Sequence, residues 1–173
     1  MNFFSILIFI FLISCEEKYE PIEVDGNLQP PMPSKEERDK TILGVDSDND
    51  GLRDDVEILI NKIGDTRNRR EALRQKHRYY QLAVSAYIAG DKKKALEKFL
   101  KSVESSTCMS AFYGSVVEKR VFRRKLDALT MNTKKRLDIY YKIDLLSAGI
   151  VTEGLPPKEW KTRCEFKVAE EEK

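Results

Sequence analysis

The sequence from residue 65 to residue 105, DTRNRREALRQKHRYYQLAVSAYIAGDKKKALEKFLKSVES, decides the fold. In its first half, apolar side chains recur at helical spacings and mark one buried face: Leu73, Tyr80, Val84 and Tyr87. Asp65 or Thr66 is a suitable N-cap for this helix, which we expect to run to about Ala89. Gly90-Asp91 indicates a turn into a second helix, from about Lys92 to Ser105. The buried face of the second helix comprises Ala95, Leu96, Phe99 and Val103.

Helix signals extend on both sides of this hairpin. Ser34 and Glu37 match a capping box, and Gly44 is a good stop for a short helix from there to about Leu43. Further helices are predicted from about Val56 to Ile63, from about Cys108 past Leu126, and from Asn132 or Thr133 to Ala148. We find no convincing alternating strand pattern. The sequence therefore predicts an all-α fold, a helical bundle of about five or six helices in one domain over residues 35–168, followed by a charged tail at 169–173.

Composition indicates a globular chain with a heavily charged surface. The 173 residues are 35% charged and 41% apolar, which suits one domain and is too apolar for wholesale disorder. The 31 basic residues nearly cancel the 29 acidic residues, for a formal charge of +2. Nothing here indicates a nucleic-acid partner, which usually shows as a strongly basic domain.

The N-terminus has the pattern of an export signal. Phe3–Ile13 is apolar except for Ser5, and at about 17 Å as a helix it is too short for a bilayer core of about 30 Å. The sequence Leu12-Ile13-Ser14-Cys15 resembles the bacterial lipobox, which implies a signal peptide at 1–14 and a lipid anchor on Cys15. Met1-Asn2 lacks the usual Lys or Arg. The alternative is a buried N-terminal helix.

Residues 15–34 are expected to form a flexible tether between the membrane and the domain. Prolines and a glycine break regular structure there: Pro21, Gly26, Pro30, Pro31 and Pro33. A flexible chain of this length reaches about 25 Å.

Residues 46–57, DSDNDGLRDDVE, fit a twelve-position calcium loop. A hard divalent cation takes six to eight oxygen ligands, and alternate positions of a tight loop can direct oxygens inward. The expected ligands are the carboxylates, one backbone carbonyl and the closing bidentate glutamate: Asp46, Asp48, Asp50, Leu52, Asp54 and Glu57. Gly51 permits the sharp bend. The alternative is an acidic loop without metal.

The motif resembles the loops of EF-hand and thrombospondin type 3-like proteins. Gly44 interrupts any helix entering the loop, and Arg53 stands where paired EF-hands place an apolar residue. A lone loop of this kind points to a structural calcium ion. The segment from Gly44 to Glu57 is also similar to a family of uncharacterised bacterial lipoproteins. This resemblance implies a calcium-type loop after a tether and then a helical domain. Further similar positions are Asn132-Thr133, Arg136, Tyr140, Leu146-Ser147, Gly149 and Cys164-Glu165-Phe166.

Two cysteines remain after Cys15, and in an exported chain Cys108 and Cys164 are most simply read as one disulfide. Two buried free thiols are the alternative. The only histidine, His77, is expected on a polar helix surface, and a zinc site is not expected.

Two surface features admit a functional and an ordinary interpretation. The hairpin spacing is that of a tetratricopeptide unit, which binds proteins in a groove, but one copy is more simply an ordinary helical hairpin. Basic runs at residues 67–70, 92–94, 123–125 and 134–136 are expected to be solvated helix faces, with contact to anionic lipid as the alternative.

These features together favour a non-catalytic lipoprotein of the bacterial cell envelope, with a calcium-stabilised helical domain that serves as a structural or protein-interaction module. The expected partners are a membrane, through Cys15, and an envelope protein. The alternative is a calcium-dependent envelope enzyme such as a cell-wall hydrolase. A lone histidine leaves no evident pairing of nucleophile and base, although folding can still assemble a carboxylate pair.

Overall fold

A computed structural model describes residues 22–152 and 154–170 of the chain. The predicted signal peptide, Cys15 and the first part of the tether lie outside this range. Within it the chain is mostly helical, which confirms the predicted all-α fold. The α-helices are α1 Lys35–Lys40, α2 Asp54–Ile63, α3 Arg67–Ile88, α4 Lys92–Ser110, α5 Val116–Thr130 and α6 Lys134–Leu146, and a 3₁₀ helix spans Pro157–Arg163.

Short polar side chains begin most of these helices. Each of five N-cap residues accepts a hydrogen bond from the backbone N–H three residues further on, which satisfies a donor that the helix itself leaves free: Ser34, Thr66, Asp91, Ser115 and Thr133. At Ser34 the Glu37 side chain also returns to the Ser34 backbone, as the predicted capping box requires. The helix boundaries are therefore largely set by local chemistry.

The boundary between α4 and α5 differs from the prediction of a helix beginning near Cys108. α4 instead continues to Ser110 because Cys108 and Met109 are fully buried on its core face. The break falls at Gly114-Ser115. The Ser115 hydroxyl accepts from Glu118 N at 3.0 Å, and the Glu118 carboxylate accepts from Gly114 N at 2.8 Å.

The α3–α4 hairpin lies at the centre of two apolar clusters. One packs α2, α4 and α5 against α3 and includes Ile60, Leu73, Met109 and Leu126. The other joins α6 to the hairpin through the buried side chains Tyr80, Ala83, Val84, Phe99 and Ile143. Most of the predicted hairpin core is therefore buried. Val103, also expected there, is 38% exposed.

Part of the predicted tether packs on the domain. Strands β1 (Glu23–Val24) and β2 (Asn27–Leu28) pair antiparallel around a turn at Asp25 and Gly26, which both have positive φ. The Asp25 side chain is only 4% exposed and forms ion pairs with Arg70 and Arg74 of α3. These contacts hold the chain against the domain before residue 35, where sequence analysis placed the domain boundary.

The C-terminal segment is bound along α3 and α4. Cys108 and Cys164 form the expected disulfide, with their Cα atoms 5.0 Å apart. Gln75 donates to Arg163 O at 2.8 Å and accepts from Glu165 N at 2.9 Å, and Asn68 makes two similar bonds with Ala169. The described helices include none that is long and apolar enough to cross a membrane.

Candidate metal site

Three predicted ligands converge at the start of the loop. Carboxylate oxygens of Asp46, Asp48 and Asp50 all lie within 4.8 Å of one another. Asp48 and Asp50 are exposed and Asp46 is partly buried. Burial raises the pKa of Asp46, and the charges of Asp50 and Asp48 raise it further. The three carboxylates therefore repel one another, and a cation between them would remove that repulsion.

The loop's backbone is folded around these carboxylates. Asp50 N donates to Asp46 Oδ1 at 3.1 Å and to Asp48 Oδ1 at 3.2 Å, and Gly51 N donates to Asp46 Oδ2 at 3.1 Å. Asn49 and Gly51 both have positive φ, at 60° and 87°. Glycine adopts this conformation readily, and asparagine is among the residues that tolerate it best. The sharp bend predicted at Gly51 is present.

Asp54 and Leu52, the other predicted ligands in the loop, also have structural contacts. Asp54 is the first residue of α2, and its Oδ1 accepts from Ser47 N at 2.9 Å across the loop. Leu52 buries its side chain in the domain, and its N–H donates to Asp50 Oδ1 at 2.7 Å. Asp54 stands outside the group of three converging carboxylates.

Glu57 is the most unusual carboxylate of the site. It lies in the first turn of α2, is 4% exposed, and has no hydrogen-bond or ion-pair partner among the described residues. Burial, together with the charges of Asp50, Asp48 and Asp54, raises the pKa of Glu57 from 4.5 to about 7, and Arg74 opposes them. Buried carboxylates are normally paired, bound to metal or neutralised by protonation, and the raised pKa of Glu57 shows that its charge is poorly compensated. Glu57, too, stands outside the group of three.

The donor set fits a hard divalent cation. It consists of carboxylate and carbonyl oxygens, the ligands that calcium and magnesium take, and no described sulfur or imidazole group joins the cluster. Asp46, Asp48, Asp50 and Glu57 would hold the ion through their side chains, with Leu52 supplying a carbonyl and Asp54 a direct or water-mediated contact. A bound ion would add positive charge to that of Arg78, which lies 3.4 Å from the Asp50 carboxylate.

Arg53 and Gly44, the two departures from a paired EF-hand, belong to one contact. Arg53 is 1% exposed and forms a two-point ion pair with Asp55, at 3.1 and 2.7 Å. It also donates to Thr130 O at 3.0 Å, which joins the loop to α5. A side chain at position 44 would place its Cβ 2.9 Å from Arg53 Nε, and Gly44 has φ of +76°. The position that pairs loops in an EF-hand thus anchors this loop to its own domain.

An arginine stripe on α3, defined by Arg70, Arg74 and Arg78 at four-residue spacing, faces the loop and the N-terminal hairpin. Arg70 and Arg74 pair with Asp25, and Arg74 donates to Asn61 Oδ1 at 2.6 Å. Arg78 donates to Asp50 O at 3.0 Å and lies 3.4 Å from its carboxylate. The sequence pattern does not reveal this stripe, because its acidic partners lie up to 49 residues away.

The prediction that His77 lies on a polar surface was wrong. His77 is 1% exposed, and its Nδ1 lies 3.3 Å from the Thr130 hydroxyl. The sequence contained a signal for its burial, because His77 falls between Leu73 and Tyr80 on the apolar stripe of α3.

The interpretation of the basic runs as solvated faces also fails in part. Arg136 is 2% exposed and donates to Ile42 O at 2.9 Å and Thr41 O at 3.1 Å.

Comparison of the chain with protein-family models, with curated proteins and with solved structures found no significant match.

Proposed function

We propose that this protein is a non-catalytic lipoprotein of the bacterial cell envelope, whose helical domain is stabilised by one calcium ion at residues 46–57 and serves as a structural or protein-interaction module. The carrying observation is Glu57, a buried carboxylate with no partner among the described residues beside three converging aspartates. An ion between the aspartates would also place a positive charge near Glu57, whose pKa the charges of Asp50 and Asp48 raise.

A stabilising ion fits this loop better than a regulatory one. Sensor loops work in pairs whose helices reorient on binding. Here the pairing position is Arg53, which is buried and bonded to Thr130, and Arg78 bonds Asp50 to α3. These contacts fix the loop to the domain on two sides. Calcium outside the cytoplasm is abundant enough for a weak structural site.

Membrane anchoring rests on the sequence Leu12-Ile13-Ser14-Cys15 and the apolar run before it. The disulfide between Cys108 and Cys164 supports export, because disulfides persist in oxidising compartments. The lipid would be attached seven residues before Ile22, the first described residue, so the domain would lie close to the membrane surface.

An apolar stripe on α6 supports an interaction role. Leu137, Tyr141 and Leu145 follow one another at four-residue spacing and are 37%, 60% and 74% exposed. Residues at this spacing share one helix face, and exposed apolar patches on small domains commonly mark partner sites. Leu137→Lys with Leu145→Lys should abolish capture of an envelope partner in a crosslinking pull-down, whereas Lys134→Glu should not.

Calorimetry with calcium tests the site. We expect one ion per chain, and at a hundredfold excess over Kd a gain of about 2.7 kcal/mol. For a domain of this size the melting temperature should rise by about 5–10 °C. Magnesium should replace calcium poorly, because its octahedral shell suits so many carboxylates badly. Asp50→Ala and Glu57→Gln should remove the effect, and the exposed Asp91→Asn should keep it. Absence of binding at millimolar calcium would refute the site.

Mass spectrometry of the membrane fraction tests the anchor. We expect acyl chains on an N-terminal Cys15, and loss of membrane attachment for Cys15→Ala. A mature protein that begins elsewhere and is soluble would contradict this part of the proposal. It would leave the calcium site to be decided by calorimetry alone.

A further inference from the structure

A cavity with a volume of about 170 Å³ lies among α3, α4, α5 and α6. Its walls include Lys76, His77 and Tyr80 of α3 and Asp127 of α5, and none of the predicted calcium ligands. Spaces between the helices of a bundle are common ligand sites. The volume exceeds the roughly 150 Å³ of an engineered cavity that accepts benzene.

Two buried polar groups at this cavity have no hydrogen-bond partner among the described residues. They are Nε2 of His77, which is 1% exposed, and the hydroxyl of Tyr80, which is 7% exposed. Burial lowers the pKa of His77 well below its ordinary value, and the nearby charges of Arg53 and Arg78 lower it further. The neutral ring therefore offers one donor and one acceptor. Polar groups buried without partners are unfavourable, so a water molecule or a ligand that bonds to them would be stabilising.

The charges at the cavity do not balance. Asp127 is shared by two cations: it lies 3.7 Å from Arg123, and the charge of Lys76 lowers its pKa more than that of Arg123 does. Burial lowers the pKa of Lys76, and Asp127 opposes that shift. Lys76 has only a long hydrogen bond, 3.4 Å to Ser102 O, and no carboxylate of the described residues lies within 4.0 Å of its ammonium group. One positive charge at the cavity is therefore unmatched, and a single negative charge on a ligand would match it.

The remaining walls are mixed: Ser102, Ser106 and Thr130 contribute hydroxyl groups, and aromatic and aliphatic side chains form the rest. Phe99 and Leu126 are almost fully buried, and the Tyr140 ring meets Phe99 edge-on with centroids 5.9 Å apart. This aromatic and aliphatic part of the wall suits the apolar body of a ligand, and the polar part suits its charged group.

We propose that this cavity binds a small organic acid, with one carboxylate beside Lys76 and an apolar body of about benzene size against Phe99 and Leu126. His77 and Tyr80 complete the hydrogen bonding of the ligand. The proposal does not depend on calcium binding or on a lipid anchor.

Benzoate is a suitable probe, and His77 is a unique reporter because the chain has one histidine. NMR of the imidazole group in the full-length protein should show saturable shifts with benzoate at millimolar concentration or below. Benzyl alcohol, which has the same ring without the charge, should bind at least about tenfold more weakly, since a charge-assisted hydrogen bond is lost. Equal binding of both molecules, or no saturable shift with benzoate, would overturn the proposal.

Variants separate the contributions of the charge and the hydroxyl. Lys76→Met keeps the length of the side chain and should raise the Kd for benzoate by about tenfold or more. Tyr80→Phe removes only the hydroxyl and should weaken binding by about threefold to tenfold. The exposed Lys92→Met is the matched control and should bind as wild type. Unchanged affinity in folded Lys76→Met and Tyr80→Phe would show that benzoate binds elsewhere and would refute the assignment.

Discussion

At the scale of single residues, the domain contains two acidic groups with opposite situations. Asp55 is 1% exposed and fully paired with Arg53, whereas Glu57, two residues later, is buried without a partner. The first carboxylate stabilises the fold only while its arginine is present. The second is the group whose protonation changes the stability of the domain, and it is a ligand of the proposed calcium site.

Glu57 predicts how the stability of the metal-free protein depends on pH. Because its folded pKa of about 7 exceeds the ordinary value of 4.5, the folded state binds more protons than the unfolded state between these values. The contribution to stability is present below pH 4.5 and is lost as pH rises through 7. In chelator, the melting temperature should therefore fall between pH 5 and pH 8. Thermal denaturation followed by circular dichroism measures it.

Glu57→Gln is the control for this dependence, because glutamine has nearly the same shape and does not titrate. The fall between pH 5 and pH 8 should be smaller in this variant, and calcium should suppress it in wild type. The same slope in wild type and Glu57→Gln would assign the dependence to other groups.

Arg53 is a buried charge whose removal is expected to destabilise the domain strongly. Arg53→Met leaves Asp55 buried without its cation, and breaking a buried pair in this way costs about 3–5 kcal/mol. Arg53→Met with Asp55→Leu should recover part of the loss because no charge remains unpaired. Urea denaturation of the two single variants, the double variant and wild type completes the cycle. A double variant less stable than either single variant would contradict this account.

At the scale of elements, the hairpin at residues 23–28 depends on Asp25. The hydrogen bonds and charges of Arg70 and Arg74 lower the pKa of Asp25 to about 2 from 3.8, so its contribution to stability is present above 3.8 and is lost as pH falls through 2. Asp25→Asn should cost about 3 kcal/mol and should expose the hairpin amides first. Hydrogen exchange at residues 22–29 measures this opening. Glu23→Gln, on the exposed side of β1, should leave exchange unchanged.

The elements were predictable where their determinants are local. Ser34, Thr66 and Thr133 cap helices through bonds to residues three positions away, and sequence analysis identified each of them as a candidate cap. Asp25 pairs with an arginine 45 residues away, and Arg53 bonds a carbonyl 77 residues away. Such pairings depend on packing, which a periodic pattern does not specify.

The candidate site, too, was predictable only where its geometry depends on residues close together in the sequence. The spacing of Asp46, Asp48 and Asp50 predicted their convergence, because a tight loop brings alternate residues together. The isolation of Glu57 was not predictable, since it depends on which side chains of α3 reach the loop. His77 is buried because it lies on the stripe from Leu73 to Val84, and for this residue position on the helix predicts burial better than polarity does.

At the scale of the whole molecule, the disulfide between Cys108 and Cys164 holds the C-terminal segment against the α3–α4 hairpin. Its sequence separation of 56 residues corresponds to roughly 4 kcal/mol of stability in the chain-entropy model. Reduction should therefore lower the melting temperature by about 10 °C. Calorimetry with and without reductant measures this, and Cys164→Ala should show no response to reductant. An equal response in that variant would mean that the reductant acts elsewhere.

The arginine stripe of α3 has a mechanical consequence. Force applied to the N-terminal end of the chain reaches the ion pairs of Asp25 with Arg70 and Arg74 before it reaches α1 or the loop. These pairs would break first and release the hairpin, while Arg78 still holds Asp50 at the next turns of the same helix. The β1–β2 hairpin would thus unfold first under force. Its unfolding would lengthen the chain between the N-terminus and the domain and leave the carboxylate cluster folded. Single-molecule stretching from the N-terminus should show a short first extension that Asp25→Asn abolishes.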